Sequence, residues 1–143
     1  MNTFRDILNK EFTSLMNIII KEDSHIYNLT DCIILKGDNS KFQIFTNQMG
    51  VFVIDLNKEE LLIEGEYEIE ELIYNEIKKF DLIIIISAKI IWDINKNYIL
   101  GFILSSAQKS FYFIRLVDEI EFVEKEKFDF ILSKIKYYIQ DEN

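Results

Sequence analysis

A nucleophile, a base and an acid stand side by side at Ser24, His25 and Asp23, the residue types of a hydrolase triad. A triad requires a chain of hydrogen bonds between these groups, and sequence neighbours point in different directions. No G-x-S-x-G nucleophile elbow occurs either. A dyad of His25 with Cys32 is the other arrangement to consider, but a cysteine in an apolar stretch usually acts as a small buried hydrophobe. We therefore expect no catalytic residues and no enzymatic activity.

This chain has few residues of the types that bind metal ions or cofactors. It has one histidine and one cysteine, whereas a zinc site takes several such residues. Asp38, Asn39 and Ser40 are consecutive oxygen ligands, but they lack the EF-hand spacing with its glycine and final glutamate. The four glycines are too scattered to form a phosphate-binding loop. We expect no metal site and no cofactor.

Aromatic residues at Trp92, Phe111, Tyr112 and Phe113 could stack on nucleic-acid bases. The formal net charge of -9, however, opposes contact with phosphates. These aromatic residues are therefore expected in the core or against a protein partner, and no direct nucleic-acid binding is expected.

The acidic residues are concentrated in one segment. Residues 51–80 carry nine acidic and three basic side chains. Seven glutamates without an intervening basic residue form the predicted partner-binding set: Glu59, Glu60, Glu64, Glu66, Glu68, Glu70 and Glu71. A smaller acidic cluster lies at 118–126. Such a run either keeps a protein soluble or steers a basic partner into place. The functional interpretation is a surface for a basic protein partner.

Three helices are predicted to position this segment. Apolar residues recur every three or four positions from Phe4 to Ile20, which predicts an N-terminal helix with a capping box of Thr3 and Asp6. The same spacing predicts a central helix over Tyr67–Phe80 and a C-terminal helix over about residues 125–140. The glutamates would then lie on the approach to the central helix and along its first turn, facing away from the core.

Two antiparallel three-stranded meanders are predicted between these helices, from short runs of β-branched and aromatic residues. The first has strands at 32–35, 42–45 and 51–54, with a short fourth strand at 61–63; the second has strands at 82–94, 98–104 and 111–117. Gly37 and Gly50 would supply positive φ at the turns. The fold class is α+β with a mainly antiparallel sheet, in one domain over 1–143. The predicted core includes Phe4, Leu8, Leu15, Ile84, Ile86, Phe113, Ile131 and Ile135.

Composition is consistent with one soluble domain. The chain has 143 residues, of which 49% are hydrophobic and 29% charged, so it can build a core. The first residues lack the apolar region of a secretion signal. The most apolar stretch, 82–94, contains Lys89 and Asp93 and is too short to span a membrane. We expect a cytoplasmic protein without membrane contact.

This profile of a small, acidic, proline-free chain without catalytic motifs is similar to that of the immunity proteins of bacterial contact-dependent growth inhibition and other polymorphic toxin systems. The resemblance is one of size, charge and composition. It implies a protein that binds one toxin domain, frequently a nuclease, and blocks its active site, with the acidic segment on a basic toxin surface. Two alternatives are a phage-encoded inhibitor of the anti-CRISPR type and a small ligand-binding domain whose site is not visible in the sequence.

Overall fold

The computed structural model describes residues 3–95 and 97–142, and in these ranges the chain consists mostly of antiparallel strands. A 3-10 helix at Phe4–Ile7 comes first. The strands are β1 Glu11–Glu22, β2 His25–Lys36, β3 Lys41–Asn47, β4 Gly50–Asp55, β5 Glu71–Ile84, β6 Ser87–Asp93, β7 Ile99–Ser105, β8 Ser110–Leu116, β9 Glu119–Val123 and β10 Tyr137–Asp141. One α-helix, α1 (Lys125–Leu132), lies between β9 and β10.

The strands form two five-stranded sheets with the same topology. The first sheet has the order β4-β3-β2-β1-β5 and the second β10-β6-β7-β8-β9. In each half of the chain a four-stranded meander is followed by a fifth strand that returns to pair with the first strand. Residues 56–70 make this return in the first half, and α1 lies in the return of the second half. The topology therefore repeats, although the sequence contains no recognisable repeat.

Each sheet has buried apolar residues on both faces of its central strands. The inner faces meet in a central cluster, in which the rings of Phe102 and Phe113 stack with centroids 4.7 Å apart and Phe4 packs on Phe102 at 4.9 Å. A second cluster lies on the outer face of the first sheet, beneath residues 56–67. A third lies on the outer face of the second sheet, beneath Phe128 and Leu132 of α1. Each return segment thus covers an apolar sheet face that would otherwise contact water.

The predicted N-terminal helix is wrong beyond its first turn. The Thr3–Asp6 capping box is present, with the Thr3 N–H donating to Asp6 Oδ2 at 2.6 Å, but it caps a 3-10 helix of four residues. The chain then enters β1, whose pairings contain β-bulges next to Phe12, Leu15 and Met16. The extra residues at these shifts lie on β2 and β5 and not on β1. β1 is instead buried on both faces, with Phe12 and Leu15 in the central cluster and Ile18 and Ile20 in the second. Its apolar residues therefore do not alternate with polar ones, and their spacing resembles that of a helix.

The predicted central helix over Tyr67–Phe80 is also wrong. Residues 67–70 lie in the return segment, and β5 begins at Glu71. β5 pairs with β1, with Lys78 opposite Leu15 and Glu76 opposite Met16, so that Ile77 is an extra residue on β5. The tertiary pairing overrides the helical preference of glutamate and lysine in this stretch.

The predicted C-terminal helix is half right. Lys125–Leu132 is helical, but a turn follows and Tyr137–Asp141 form a strand. The fold is consequently a two-sheet antiparallel β structure and not the predicted α+β class with three helices. The three strands of the first meander are confirmed, within β2, β3 and β4. The predicted strand 82–94 is divided at Ile85 and Ile86, where the chain crosses from the first sheet to the second.

The predicted core is partly confirmed. Phe4, Leu15 and Phe113 are buried, and Leu8, Ile131 and Ile135 are half-buried. The prediction is wrong for Ile84 and Ile86, which are exposed at the crossing between the sheets.

Gly37 does not have the positive φ predicted for it. It instead allows two backbone segments to approach each other closely. A Cβ at Gly37 would lie 2.0 Å from the carbonyl oxygen of Glu11, and a Cβ at Gly101 would lie 2.3 Å from that of Phe113. Gly50 has the positive φ predicted for it, 140°.

We predict that Phe113→Ala lowers the free energy of unfolding by about 3–5 kcal/mol, because it removes a fully buried ring from the centre of the molecule. Phe130→Ala makes the same chemical change at a position that is 60% exposed and should lower it by less than about 1 kcal/mol. Denaturant unfolding of both variants measures the difference, and equal losses would contradict the assignment of the core.

Candidate functional site

The return segment 56–70 presents its glutamates to solvent because its apolar residues are used for packing. Leu61, Ile63 and Tyr67 pack on the second cluster, on the outer face of the first sheet. Glu64, Glu66, Glu68 and the other predicted partner-binding glutamates are all exposed. An extended chain places alternate side chains on opposite sides, so the inward apolar residues direct the glutamates outward.

Hydrogen bonds fix this segment to the sheet at its middle, Leu62, and at its last residue, Glu70. The side chain of Gln43, fully buried in β3, donates from Nε2 to the carbonyl oxygen of Leu62 at 2.7 Å. Its Oε1 accepts from the Leu62 N–H at 2.8 Å. At the last residue of the segment, the Glu70 N–H donates to the carbonyl oxygen of Lys21 at 2.9 Å. The glutamates are therefore displayed on an anchored chain, which lowers the conformational entropy lost when a partner binds.

Three carboxylates from different elements meet in a depression of about 430 Å³ at one end of the sheets. Asp31 comes from β2, Glu64 from the return segment and Asp118 from the turn between β8 and β9. Glu64 Oε2 accepts from Asn47 Nδ2 at 2.9 Å. Burial raises the pKa of Asp31, and the charges of Glu64 and Asp118 raise it further. A positive charge placed in this depression would reduce the repulsion between the three carboxylates.

A second depression, of about 530 Å³, continues along the same segment. It is lined by Glu22, Glu66 and Glu68 together with Gly65 and Tyr67. The Glu22 carboxylate accepts from the Glu68 N–H at 3.2 Å, which ties the segment to the end of β1. We refer to the carboxylates of the two depressions as the acidic surface: Glu22, Asp31, Glu64, Glu66, Glu68 and Asp118.

The acidic surface has little compensating charge of its own. Within residues 3–95 and 97–142, no lysine or arginine nitrogen lies within 4 Å of the carboxylates of Glu64, Glu66 or Glu68. The neighbouring Glu71 does have a partner, because Lys21 Nζ lies 3.4 Å from its Oε2. In the described ranges, the negative charges of Glu64, Glu66 and Glu68 are therefore exposed to solvent without an ion pair to balance them.

A buried arginine, Arg115, joins β8 to the end of β3 beside the first depression. Arg115 Nε donates to Thr46 Oγ1 at 2.6 Å, and Nη2 donates to the Asn47 carbonyl oxygen at 2.7 Å. Nη1 donates to the carbonyl oxygen of Ile99 at 3.0 Å. Burial lowers the pKa of Arg115, and the charge of Asp118 opposes that effect. Arg115 thus links the second sheet to β3 of the first.

Apolar side chains stand at the rim of the acidic surface. Met49, at the β3–β4 turn, lines the first depression and is 85% exposed. Val117 lies next to Asp118 and is exposed, with a φ of 50° that is an outlier for a β-branched residue. Its carbonyl oxygen accepts from Thr46 Oγ1 at 2.8 Å, so the turn is held in this conformation. Methionine is enriched at surfaces that bind proteins, and the rims of such surfaces are polar.

The structure separates the predicted partner-binding residues into three groups. Glu64, Glu66 and Glu68 lie in the two depressions. Glu70 and Glu71 lie beside the β1–β2 turn, where Glu70 Oε1 accepts from the Asp23 N–H at 3.1 Å. Glu59 and Glu60 lie at the start of the return segment, are exposed, and line neither depression.

The other candidates from the sequence do not come together. His25 and Cys32 lie seven residues apart on β2, which separates them by about 20 Å. Cys32 is buried, and burial raises its pKa to about 12, so its thiol is not activated. Phe111 and Phe113 are also buried, so neither could stack on a nucleic-acid base. In the part of the chain that the structure describes, no three His, Cys, Asp or Glu side chains are arranged to hold a metal ion.

Glu22 and Asp31 were not identifiable as site residues from the sequence. Asp31 is the single acidic residue of β2, and Glu22 stands at the end of β1 outside the acidic segment. Only the pairing of β1 and β2 and the path of residues 56–70 bring them to the acidic surface. Asp118 had a weak signal, since it begins the smaller acidic cluster at 118–126.

Comparison with known proteins identifies no relative: no family model, no curated protein and no solved structure matches the chain. None of the helices in the described ranges has the length and apolar character needed to cross a membrane.

We predict that Asp31→Asn raises the free energy of unfolding at pH 7. The pKa of Asp31 is 3.8 in the unfolded chain and higher in the folded protein. Ionisation of such an acid destabilises the folded state, and this effect grows as the pH rises from the unfolded-state pKa through the folded-state pKa. The amide lacks this charge, so the gain should be present at pH 7 and vanish below about pH 3.8. Urea unfolding at both pH values measures it, and a loss of stability at pH 7 would show that the Asp31 carboxylate is stabilising.

We predict that Gln43→Leu lowers the free energy of unfolding by about 1–3 kcal/mol, because the N–H and C=O of Leu62 lose their partner. The same change at Gln108, which is exposed in the β7–β8 turn, should be nearly neutral. Hydrogen exchange at Leu62 should accelerate only in Gln43→Leu. Unchanged exchange there would mean that Gln43 does not anchor the segment.

Proposed function

We propose that this protein is an inhibitor of the immunity-protein kind, which binds a toxin domain and neutralises it by covering a basic surface with the acidic surface. The supporting observation is that carboxylates from three elements beyond the return segment join Glu64, Glu66 and Glu68 on one anchored surface. Like charges held close together destabilise a fold. For Asp31, burial raises the pKa most, and the charges of Glu64 and Asp118 add to it. A basic partner would relieve that repulsion.

A nucleic-acid-handling toxin fits this chemistry. The site of such an enzyme is lined by lysine and arginine residues that contact phosphates. A row of carboxylates mimics the charge of a phosphate backbone, and a rim with Met49 and Val117 adds apolar contact that a nucleic acid does not offer. The proposal assigns binding and no catalysis to this chain.

The proposal predicts a stoichiometric basic partner that the acidic surface recognises. Tagged protein is used to capture that partner from the source cells, and the purified pair is tested for one-to-one binding and for loss of the partner's nuclease activity. The triple variant Glu64→Lys/Glu66→Lys/Glu68→Lys should slow association by about tenfold or more at low salt. Raising the salt concentration should slow association of the native protein and have less effect on the variant.

The matched control is Asp38→Lys/Glu76→Lys/Asp81→Lys, which makes the same change in net charge at three exposed positions outside the acidic surface. It should bind at close to the native rate. If both triple variants slowed binding equally, only the net charge would matter. If neither did, the glutamates would serve solubility alone, and the proposed interface would be wrong.

A further inference from the structure

Within residues 3–95 and 97–142, β10 is an edge strand of the second sheet, and no strand pairs with its outer edge. The Glu142 N–H donates to the Ala88 carbonyl oxygen at 2.9 Å, and the Lys136 carbonyl oxygen accepts from the Ile94 N–H at 3.1 Å. Backbone groups alternate along a strand, so even-numbered residues face β6. The odd-numbered residues of β10, Tyr137, Ile139 and Asp141, therefore present their N–H and C=O groups away from the sheet.

This edge lacks the usual protections against pairing. The register of β10 with β6 runs from Tyr137–Asp93 to Asp141–Lys89 without a shift. By contrast, the pairing of edge strand β5 with β1 contains bulges, and edge strand β9 carries Glu119 and Glu121. Bulges and charges are the common means of blocking an edge. On β10, apolar and aromatic side chains are exposed instead: Tyr137 39%, Tyr138 45% and Ile139 50%.

The charges around β10 are self-complementary in one orientation. Lys134 and Lys136 precede the strand, whereas Asp141 and Glu142 lie at its end. An antiparallel arrangement of two such strands sets the basic end of each against the acidic end of the other, and a parallel arrangement sets like charges together. Most of the surface of a chain with net charge -9 repels a second copy, and this edge is locally neutral.

We propose that two copies of this chain associate by antiparallel pairing of β10 with β10 about Ile139, which joins the two second sheets into one sheet of ten strands. Ile139 then faces Ile139 of the second copy, and Tyr137 faces Asp141. These outward-facing residues form about six backbone hydrogen bonds. Lys136 faces Glu142. The Glu142 carboxylate also forms an ion pair with Arg5, whose Nε lies 3.3 Å from Oε2.

Cysteine cross-linking tests the register directly. Residues opposite each other in a hydrogen-bonded antiparallel pair have Cα atoms about 5.5 Å apart, within the span of a disulfide of about 4.4–6.8 Å. Ile139→Cys should therefore give a disulfide-linked dimer under mild oxidation. Tyr138→Cys is the matched control, because the two Tyr138 positions are diagonal neighbours about 7–8 Å apart. The native Cys32 is buried and common to both variants.

The expected result is cross-linking at least tenfold faster for Ile139→Cys than for Tyr138→Cys. Adding Lys136→Glu to Ile139→Cys should slow it severalfold, whereas Lys109→Glu, an exposed change in the β7–β8 turn, should not. Equal rates for the two cysteine variants, or no cross-linking by either, would overturn the proposal. So would sedimentation of the native protein at its monomer mass of 17.1 kDa at every concentration.

Discussion

The central strands of both sheets carry apolar residues on both faces, and this constraint determines the rest of the structure. Packing the sheets together buries only their inner faces, so each half of the chain must also cover its own outer face. The second half does so with α1, whose Phe128 and Leu132 are buried. The first half uses the extended segment 56–70, which has too few consecutive apolar residues to be buried throughout. Its apolar residues cover the sheet, and its glutamates are left on the outside.

The acidic surface is thus a consequence of how the outer face is covered, and its electrostatics depend on the same scaffold. Arg115 reaches from β8 to Thr46 and the Asn47 carbonyl, so the turns that carry Met49 and Asp118 keep their positions. Within the described residues the Arg115 guanidinium donates to neutral acceptors and forms no ion pair, although its charge interacts with that of Asp118. The surface therefore combines rigid placement, unbalanced negative charge and exposed apolar groups, which together favour a basic protein as the partner.

The sequence predicted turns and short strands better than long elements. The strands around Ile33, Ile44 and Val53 were predictable because glycine and asparagine mark their turns and apolar runs fill them. β1 was not, because it is buried on both faces, and Phe12, Leu15 and Ile18 then follow one another every three positions, as on a helix. The acidic segment was predictable by its charge but not as an extended chain, since its conformation depends on a buried glutamine far away in sequence. Pairing of distant strands decides such positions, and no local pattern records it.

The proposed binding surface requires that the acidic segment 56–70 is anchored to the sheet and does not move freely. Amide hydrogen exchange, followed residue by residue by NMR at neutral pH, tests this most directly. The Leu62 and Glu70 amides, which donate to Gln43 Oε1 and to the Lys21 carbonyl, should be protected at least 100-fold over an unstructured chain. Exchange of both amides at the unstructured rate, within a folded protein, would show that the segment moves freely and would contradict the account.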